Sequence, residues 1–283
     1  VCSSDLAYHH FGQDETNGWI IPLLDVWCLT NPFLKEFNVA AWTPVDHLPV
    51  PRDVLRFFDR TGAVPVAMSK FGFDELRRVG LDPVYIPLSV DTKQMRPTPF
   101  LDIADPRNPG ATVRVDARDF LGIPKEAFVV GMVAMNKGWS RDRKGFNEAL
   151  RAFGRFWQDH PDALLYLHTY KTPLMEGIDL VELATHAGIP EHVIVWPNQF
   201  AYRLGFKPDQ MAAAYTAMDV LLAPSHGEGF CVPLIEAQAC GVPVIASDFS
   251  AQPELVGAGW LVDGQLEWDP AQHASYLDRK SVV

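Results

Sequence analysis

The chain has 283 residues, which is long for one average domain and suits two domains of modest size. Its formal net charge of −11 at pH 7 excludes the broad basic surface with which proteins bind nucleic acid or an anionic membrane. No apolar run approaches the roughly 20 residues that a membrane-spanning helix needs. We therefore expect no nucleic-acid partner and no transmembrane segment.

The cysteines point to a reduced compartment. Cys2, Cys28, Cys231 and Cys240 form no Cys-x-x-Cys pair and lie at no spacing to histidine that suits zinc. The first residues also lack the charged-then-apolar layout of a signal peptide. A cytoplasmic protein is the simple interpretation.

Both ends of the chain have an unusual coding potential. Residues 1–6 can be encoded by DNA that contains GCTCTTCCGATC, and residues 278–283 by DNA that begins with GATCGGAAGAGC, its reverse complement. Such a pair is typical of a sequencing adapter translated at both ends of one DNA fragment, the alternative being a coincidence of codon choice. Residues 1–6 and 278–283 are therefore expected to be adapter-derived tags, and residues 7–277 a piece of a longer protein, truncated at both ends.

The first ninety residues carry an irregular α/β pattern. Apolar runs predict strands over residues 19–24, 39–42 and 64–68, and helical spacing predicts helices over residues 52–60 and 74–79. Residues 92–110 contain four prolines, which predicts an extended surface segment at a domain junction.

From residue 128 onward the pattern becomes rhythmic. Short apolar runs predict strands over residues 128–135, 164–167, 193–196, 220–223 and 244–246, and segments of helical period lie between them at 146–157, 180–186, 208–218 and 232–239. Strands without polar alternation, separated by helices, indicate a parallel sheet that is covered on both faces. This half is therefore predicted to be a doubly wound α/β domain.

The strongest local signal is the run from Ala223 to Ala246, which reads as strand, glycine-rich loop, helix, tight turn and strand. Gly227 and Gly229 let the backbone approach a ligand closely, and the helix that follows directs its amide end toward that loop. The pattern predicts an anion site at the carboxyl edge of the sheet. In isolation, the alternative is a simple turn with solvated glutamates.

In full, this run resembles the motif of two glutamates separated by seven residues in the retaining family-4 glycosyltransferases of the GT-B fold. The residues in register are Ser225, Glu228-Gly-Phe230, Pro233, Glu236-Ala237, Gly241 and Pro243-Val244. Segments 131–146, 217–220, 69–72 and 86–91 continue the resemblance. It implies two facing Rossmann-like domains with parallel sheets: an incomplete N-terminal, acceptor-side domain over residues 7–91 and a C-terminal, nucleotide-sugar-binding domain over residues 92–277.

The resemblance also implies roles for the motif residues. Glu236 would bond the ribose hydroxyls of the donor, and Glu228, with the backbone amides of Gly229, Phe230 and Cys231, would contact the donor sugar and phosphate. Carboxylates accept hydrogen bonds from hydroxyls, whereas amides donate to phosphate, so each role suits its group.

The basic loop would hold the donor diphosphate. By the same resemblance Lys144 would neutralise it, although a solvated charge in a basic run is the plainer alternative. Many relatives carry an arginine early in this loop, where this chain has Asn136-Lys137. Arg141 or Arg143 would then supply the second charge, and the sequence does not decide between them.

One histidine of the first half is a further candidate. His47 follows a predicted strand in Thr43-Pro-Val-Asp-His. In relatives a polar residue at this place faces the donor sugar across the cleft, which would make His47 catalytic. The alternative is a loop histidine whose hydrogen bonds are satisfied.

The expected reaction is transfer of a hexose from a nucleotide diphosphate sugar to the hydroxyl of an unknown acceptor, with retention at the anomeric carbon. The sequence contains no Asp-x-Asp, in agreement with the metal-independent habit of the family, so no cofactor is expected. A nicotinamide oxidoreductase would need a Gly-x-Gly-x-x-Gly turn, which the sequence lacks. A non-catalytic protein that binds sugar nucleotides remains the alternative.

Overall fold

The computed structural model describes residues 18–105, 107–137, 142–172, 177–269 and 275–279. The expected tag at residues 1–6, residues 280–283 of the second tag and Arg141 lie outside the described residues.

The first half of the chain builds a parallel four-stranded sheet. Its strands are β1 (Trp19–Ile20), β2 (Asn38–Thr43), β3 (Val64–Ala67) and β4 (Val84–Tyr85), in that order across the sheet. Helices α1 (Arg52–Thr61) and α2 (Lys70–Arg78) connect the later strands, and short 3₁₀ turns lie at Val26–Cys28 and Pro32–Glu36.

Local sequence explains where these two helices begin and end. α1 ends at Gly62, whose φ of 65° is the left-handed conformation that glycine adopts without strain. α2 begins at Ser69, whose hydroxyl accepts a hydrogen bond from the Gly72 amide at 3.0 Å. Phe57 and Leu76 project from the two helices into one apolar core.

A β-hairpin follows the first sheet. Strands β5 (Phe100–Ala104) and β6 (Thr112–Asp116) pair antiparallel, and a short helix, α3 (Ala117–Leu121), comes directly after them. Residues 100–104, part of the segment expected to be extended over residues 92–110, form a largely exposed strand of a hairpin that the sequence did not predict. Pro97 and Pro99 precede β5 rather than interrupt it, so they cost the hairpin no hydrogen bond. The predicted domain boundary after residue 91 lies before this hairpin and stays a prediction.

The second half builds a larger parallel sheet, with the strand order β12-β11-β10-β7-β8-β9 in the described part of the chain. The strands are β7 (Val129–Val133), β8 (Leu164–His168), β9 (Ile194–Val195), β10 (Val220–Ala223), β11 (Val244–Ser247) and β12 (Gly259–Val262). The helices are α4 (Phe146–Asp159), α5 (Leu180–His186), α6 (Gln199–Leu204), α7 (Pro208–Thr216), α8 (Val232–Ala239) and α9 (Gln252–Leu255). A last hairpin joins β13 (Gln265–Asp269) to β14 (Ser275–Arg279).

Both faces of this second sheet are buried. In β8, Leu165 and Leu167 pack into the core on one face, and Tyr166 packs into the core on the other. The prediction of a doubly wound α/β half with a parallel sheet is confirmed, because every strand pair of this sheet is parallel and helices connect most of its strands.

The strand order places a crevice at the centre of this sheet. β8 and β9 follow β7 in one direction, whereas β11 and β12 follow β10 in the other. The loops after β7 and β10 therefore diverge, and open parallel sheets bind ligands at such a switch point, beyond the carboxyl ends of the strands.

Candidate functional site

A cavity of about 700 Å³ lies at this switch point, and residues of both halves of the chain line it. One end is charged, and the charged residues among those described are Asp25, Asp46, Arg143, Lys144 and Glu228. The other end is aromatic, with His168, Tyr170, Tyr202 and Phe206. A polar, multiply charged group and a flat apolar group therefore find different surroundings in one cavity.

Lys144 and Glu228 meet in the cavity wall. The Lys144 Nζ atom lies 2.5 Å from Oε1 of Glu228, and the two side chains are 23% and 12% exposed. One residue comes from the loop before α4 and the other from the loop before α8, so the contact joins the two loops at the switch point. Charge-assisted hydrogen bonds of this kind are stronger than neutral ones.

Close backbone packing brings these two loops together. Gly145, which has a φ of 73°, precedes α4, and a Cβ atom at this residue would overlap the carbonyl oxygen of Pro224. The amide of His226 donates to the carbonyl of Arg143 at 2.9 Å. Only glycine at position 145 allows this approach, and the approach sets Lys144 beside the motif loop.

The motif loop also contacts the first sheet. A Cβ atom at Gly229 would overlap Pro44, which follows β2, so a larger residue would separate the two halves. Phe230 is buried, and Cys231 holds a φ of 82° at the start of α8, a conformation in which a non-glycine residue is strained. Gly229, Phe230 and Cys231 line the cavity, and the contact of their amides with a donor stays a prediction.

Arg143 is paired across the cavity with the first half of the chain. Its Nη1 atom forms an ion pair with Oδ2 of Asp46, whose Oδ1 atom lies 2.5 Å from Nδ1 of His47. Burial alone would raise the pKa of Asp46, but the hydrogen bond with His47 and the charges of Arg143 and Lys144 hold it well below its usual range. Asp46 is therefore ionised at neutral pH.

His47 is placed differently from its neighbour. Its side chain is 4% exposed, and Asp46 rather than His47 is among the cavity-lining residues. The proposed catalytic role of His47 stays a prediction, and in this structure its contact with the cavity runs through Asp46. The sequence indicated His47 and not Asp46, because an irregular loop has no periodicity that tells which of two neighbours faces inward.

Neither Glu236 nor Asn136 is among the described residues that line this cavity. Oε2 of Glu236 accepts a hydrogen bond from the hydroxyl of the buried Tyr215 at 2.7 Å. The Asn136 side chain bonds both the carbonyl and the amide of Ile178, at 2.7 and 2.9 Å, and so joins the loop after β7 to the start of α5. Their roles toward a substrate stay predictions.

The aromatic end has a neutral histidine at its base. Burial lowers the pKa of His168 to about 4, and the hydroxyl of Tyr166 lies 2.7 Å from its Nδ1 atom. The rings of Tyr202 and Phe206 contact His168 edge-on, with centroids 5.0 and 4.9 Å away. From the sequence, Tyr166 was placed in a predicted strand, and no role was assigned to His168, Tyr202 or Phe206.

Two kinds of feature are absent from the described residues. No group of three or more His, Cys, Asp or Glu side chains in this part of the chain is arranged to hold a metal ion. None of the helices in the described ranges combines the length and apolar character that crossing a membrane requires.

Solved structures share this architecture. A sucrose-phosphate synthase from Thermosynechococcus elongatus aligns over 93% of this chain and 64% of its own, with a TM-score of 0.68 and 19% identity. HepE from Anabaena, in complex with UDP-glucose, aligns over 80% of this chain and 58% of its own, with a TM-score of 0.57 and 18% identity. These likenesses define the class, and the predicted GT-B fold is confirmed.

The sequence comparison adds the family. Residues 128–278, more than half of the chain, match the glycosyl transferases group 1, and the chain belongs to this family, as the motif over residues 223–246 predicted. A D-inositol 3-phosphate glycosyltransferase of Geodermatophilus obscurus is 31% identical over 295 residues, which cover 96% of this chain and 58% of the relative. The chain thus spans less than two thirds of the length of the curated relatives that it matches.

Proposed function

We propose that this chain carries the donor-binding part of a glycosyltransferase, which moves a hexose from a nucleotide diphosphate sugar to an acceptor hydroxyl. The observation that carries the proposal is the contact of Lys144 with Glu228 at the switch point, beside the amide end of α8. A lysine charge and backbone amides suit a diphosphate, and a carboxylate suits the hydroxyls of a sugar. The family membership and the name of the Geodermatophilus relative support this choice.

The cavity also suits the rest of such a donor. Its aromatic end, with Tyr170, Tyr202 and Phe206, offers flat apolar surfaces on which a nucleobase can stack. HepE was solved in complex with UDP-glucose, and we extend that class of donor to this chain. The nucleotide and the sugar of the natural donor are left open.

Catalysis would rest on the leaving group. As the bond to the anomeric carbon breaks, negative charge grows on the diphosphate, and Lys144 and the amides at the start of α8 would stabilise it. The described residues supply no group that we assign as a covalent nucleophile, so we propose departure and attack on the same face of the sugar, with retention. We further propose that this chemistry needs no metal ion and takes place in the cytoplasm.

The proposal predicts binding and transfer in the presence of a chelator. Titration calorimetry with UDP, GDP and a panel of their sugars, in excess EDTA, is expected to show binding of at least one nucleotide. In a chain extended to the length of the relatives, transfer from the matching donor is expected to persist at an unchanged rate. Loss of transfer in EDTA with rescue by Mg²⁺ or Mn²⁺ would show that a metal ion takes part, and no binding of any nucleotide would refute the proposed function.

A non-catalytic protein that binds sugar nucleotides is the second candidate, because the same cavity would serve it. Binding without transfer of labelled sugar to any acceptor, in a chain extended to the length of the relatives, would favour this candidate.

The two motif glutamates are expected to have separable roles. Glu236→Gln keeps an acceptor for the Tyr215 hydroxyl but removes the charge that would bind ribose, so it should weaken UDP or GDP and the intact donor alike, by about tenfold. Glu228→Ala should spare the bare nucleotide and weaken mainly the sugar donor.

Calorimetry with both ligands tests this division of roles. Glu191→Ala, which removes a carboxylate on the surface of the same half, is the control and should change neither affinity. Equal losses of both ligands in Glu228→Ala would show that the division is wrong.

A further inference from the structure

Asp46 occupies a position in the cavity that the proposed function does not explain. Its carboxylate belongs to the first half of the chain, yet it pairs with Arg143, which lies next to Lys144 in the basic loop. The side chain of Asp46 is 14% exposed, and it lines the same cavity wall as Glu228. The contact therefore joins the acceptor-side half to the loop that would bind the donor.

The balance of charges in the cavity bears on the pairing of Asp46 with Arg143. The described residues that line the cavity include the cations Arg143 and Lys144, and they include the carboxylates Asp25, Asp46 and Glu228. The carboxylates thus outnumber the cations in this set. Burial would lower the pKa of Arg143, but Asp46, Glu228 and Asp25 raise it, so the guanidinium is charged and compensated.

A diphosphate that binds Arg143 must compete with the carboxylate of Asp46. Arginine binds phosphate oxygens in the same paired geometry that it uses for carboxylates, and it cannot give its full set of donors to both at once. Glu228 pairs with Lys144 and has a role toward the donor sugar in the proposed function, whereas Asp46 pairs with Arg143 itself and has no such role. Asp46 is therefore the carboxylate that the diphosphate would displace.

We propose that Asp46 is a positioning residue of the donor site: its carboxylate holds Arg143 in the cavity wall and yields it to the diphosphate of the donor. This inference rests on the proposed function, which supplies the diphosphate. Displacement frees the Oδ2 atom of Asp46 on the acceptor side of the cavity, while the Oδ1 atom stays bonded to His47. Donor binding thereby changes the acceptor side before any acceptor arrives.

The neutral variant Asp46→Asn tests the proposal. Asparagine keeps the size of the side chain and an acceptor for His47 but no longer competes for the guanidinium with a full charge. We expect Asp46→Asn to bind UDP or GDP about tenfold more tightly than the wild type in titration calorimetry. Arg143→Met should bind the same nucleotide about tenfold more weakly.

The double variant Asp46→Asn/Arg143→Met tests whether Asp46 acts on nucleotide affinity through Arg143. If Asp46 acts only through Arg143, adding Asp46→Asn to Arg143→Met should change the nucleotide affinity less than twofold. Unchanged or weaker binding by Asp46→Asn alone, or the same gain in the Arg143→Met background, would overturn the proposal.

A second contact between the halves provides the matched control. The carboxylate of Glu254 accepts hydrogen bonds from the amides of Lys70 and Phe71 at 2.8 to 2.9 and 3.4 Å. Glu254→Ala removes these hydrogen bonds between the two halves and leaves the contacts of Arg143 in place, so it should leave nucleotide affinity unchanged. Tighter binding in Glu254→Ala as well would assign the gain to loosening and refute the role of Asp46. If the wild type binds neither UDP nor GDP, the proposed function itself fails, which is a different result from an unchanged affinity in Asp46→Asn.

Discussion

In a chain extended to the length of the relatives, replacement of Lys144 by alanine is expected to lower the rate of sugar transfer about 100-fold, which corresponds to about 2.7 kcal/mol of activation free energy. The cause is the loss of the cation that lies 2.5 Å from Glu228 at the place assigned to the diphosphate. Nucleotide affinity should fall as well. The free energy of unfolding should change by about 1 kcal/mol or less, because both side chains keep contact with solvent.

Steady-state rates, calorimetry with UDP or GDP and chemical denaturation would measure these three quantities. Lys144→Arg, which keeps the charge, should retain part of the rate. Lys171→Ala, which removes a lysine paired with Glu191 at 2.9 Å on the surface of the same half, should behave like the wild type. A wild-type rate in Lys144→Ala would remove Lys144 from the site.

Gly145→Ala is expected to have the largest effect on stability, about 2 to 4 kcal/mol. A left-handed φ of 73° costs a residue with a side chain about 1 kcal/mol, and overlap of its Cβ atom with the Pro224 carbonyl adds a further 1 to 3 kcal/mol. The overlap involves backbone on both sides, so no side chain can move to relieve it. Because Lys144 directly precedes Gly145, nucleotide binding should be lost together with stability.

Gly188→Ala is the matched control for this prediction. Gly188 belongs to the same half, has a φ of 75°, and a Cβ atom there would meet nothing within 4 Å. Its substitution should cost only the backbone strain, about 1 kcal/mol. Equal losses of unfolding free energy in the two variants would show that the contact with Pro224 does not set the position of the basic loop.

Much of the second half could be predicted from the sequence because its strands are buried on both faces. The apolar runs 128–135 and 164–167 predicted the strands that lie at Val129–Val133 and Leu164–His168, and the helix after the glycine-rich loop begins at Val232, as its pattern indicated. The hairpin of residues 100–116 was missed because its strands are short and largely exposed, so hydrophobicity gave little signal against the prolines around them.

The candidate site was predictable where a motif carries it and not elsewhere. Lys144 and Glu228 were named from the sequence, and the structure brings them into contact although 84 positions separate them. Asp46 was not selected as a site residue, because its role depends on its ion pair with Arg143. That contact forms only where the two halves of the chain face each other. Local sequence patterns carry no information about such a contact.

The strand order of the second sheet has a consequence for how the chain folds over time. β7 and β10 pair at its centre, with Val220 opposite Val130 and Leu221 opposite Gly131, and Oδ2 of Asp219 accepts a hydrogen bond from the Val129 amide at 2.7 Å. During synthesis, β7 and β8 leave the ribosome well before β10, and pairings between segments so far apart form slowly. The crevice between β7 and β10 should therefore be among the last features to form, so that nucleotide binding during refolding would report completion of the sheet rather than its initiation.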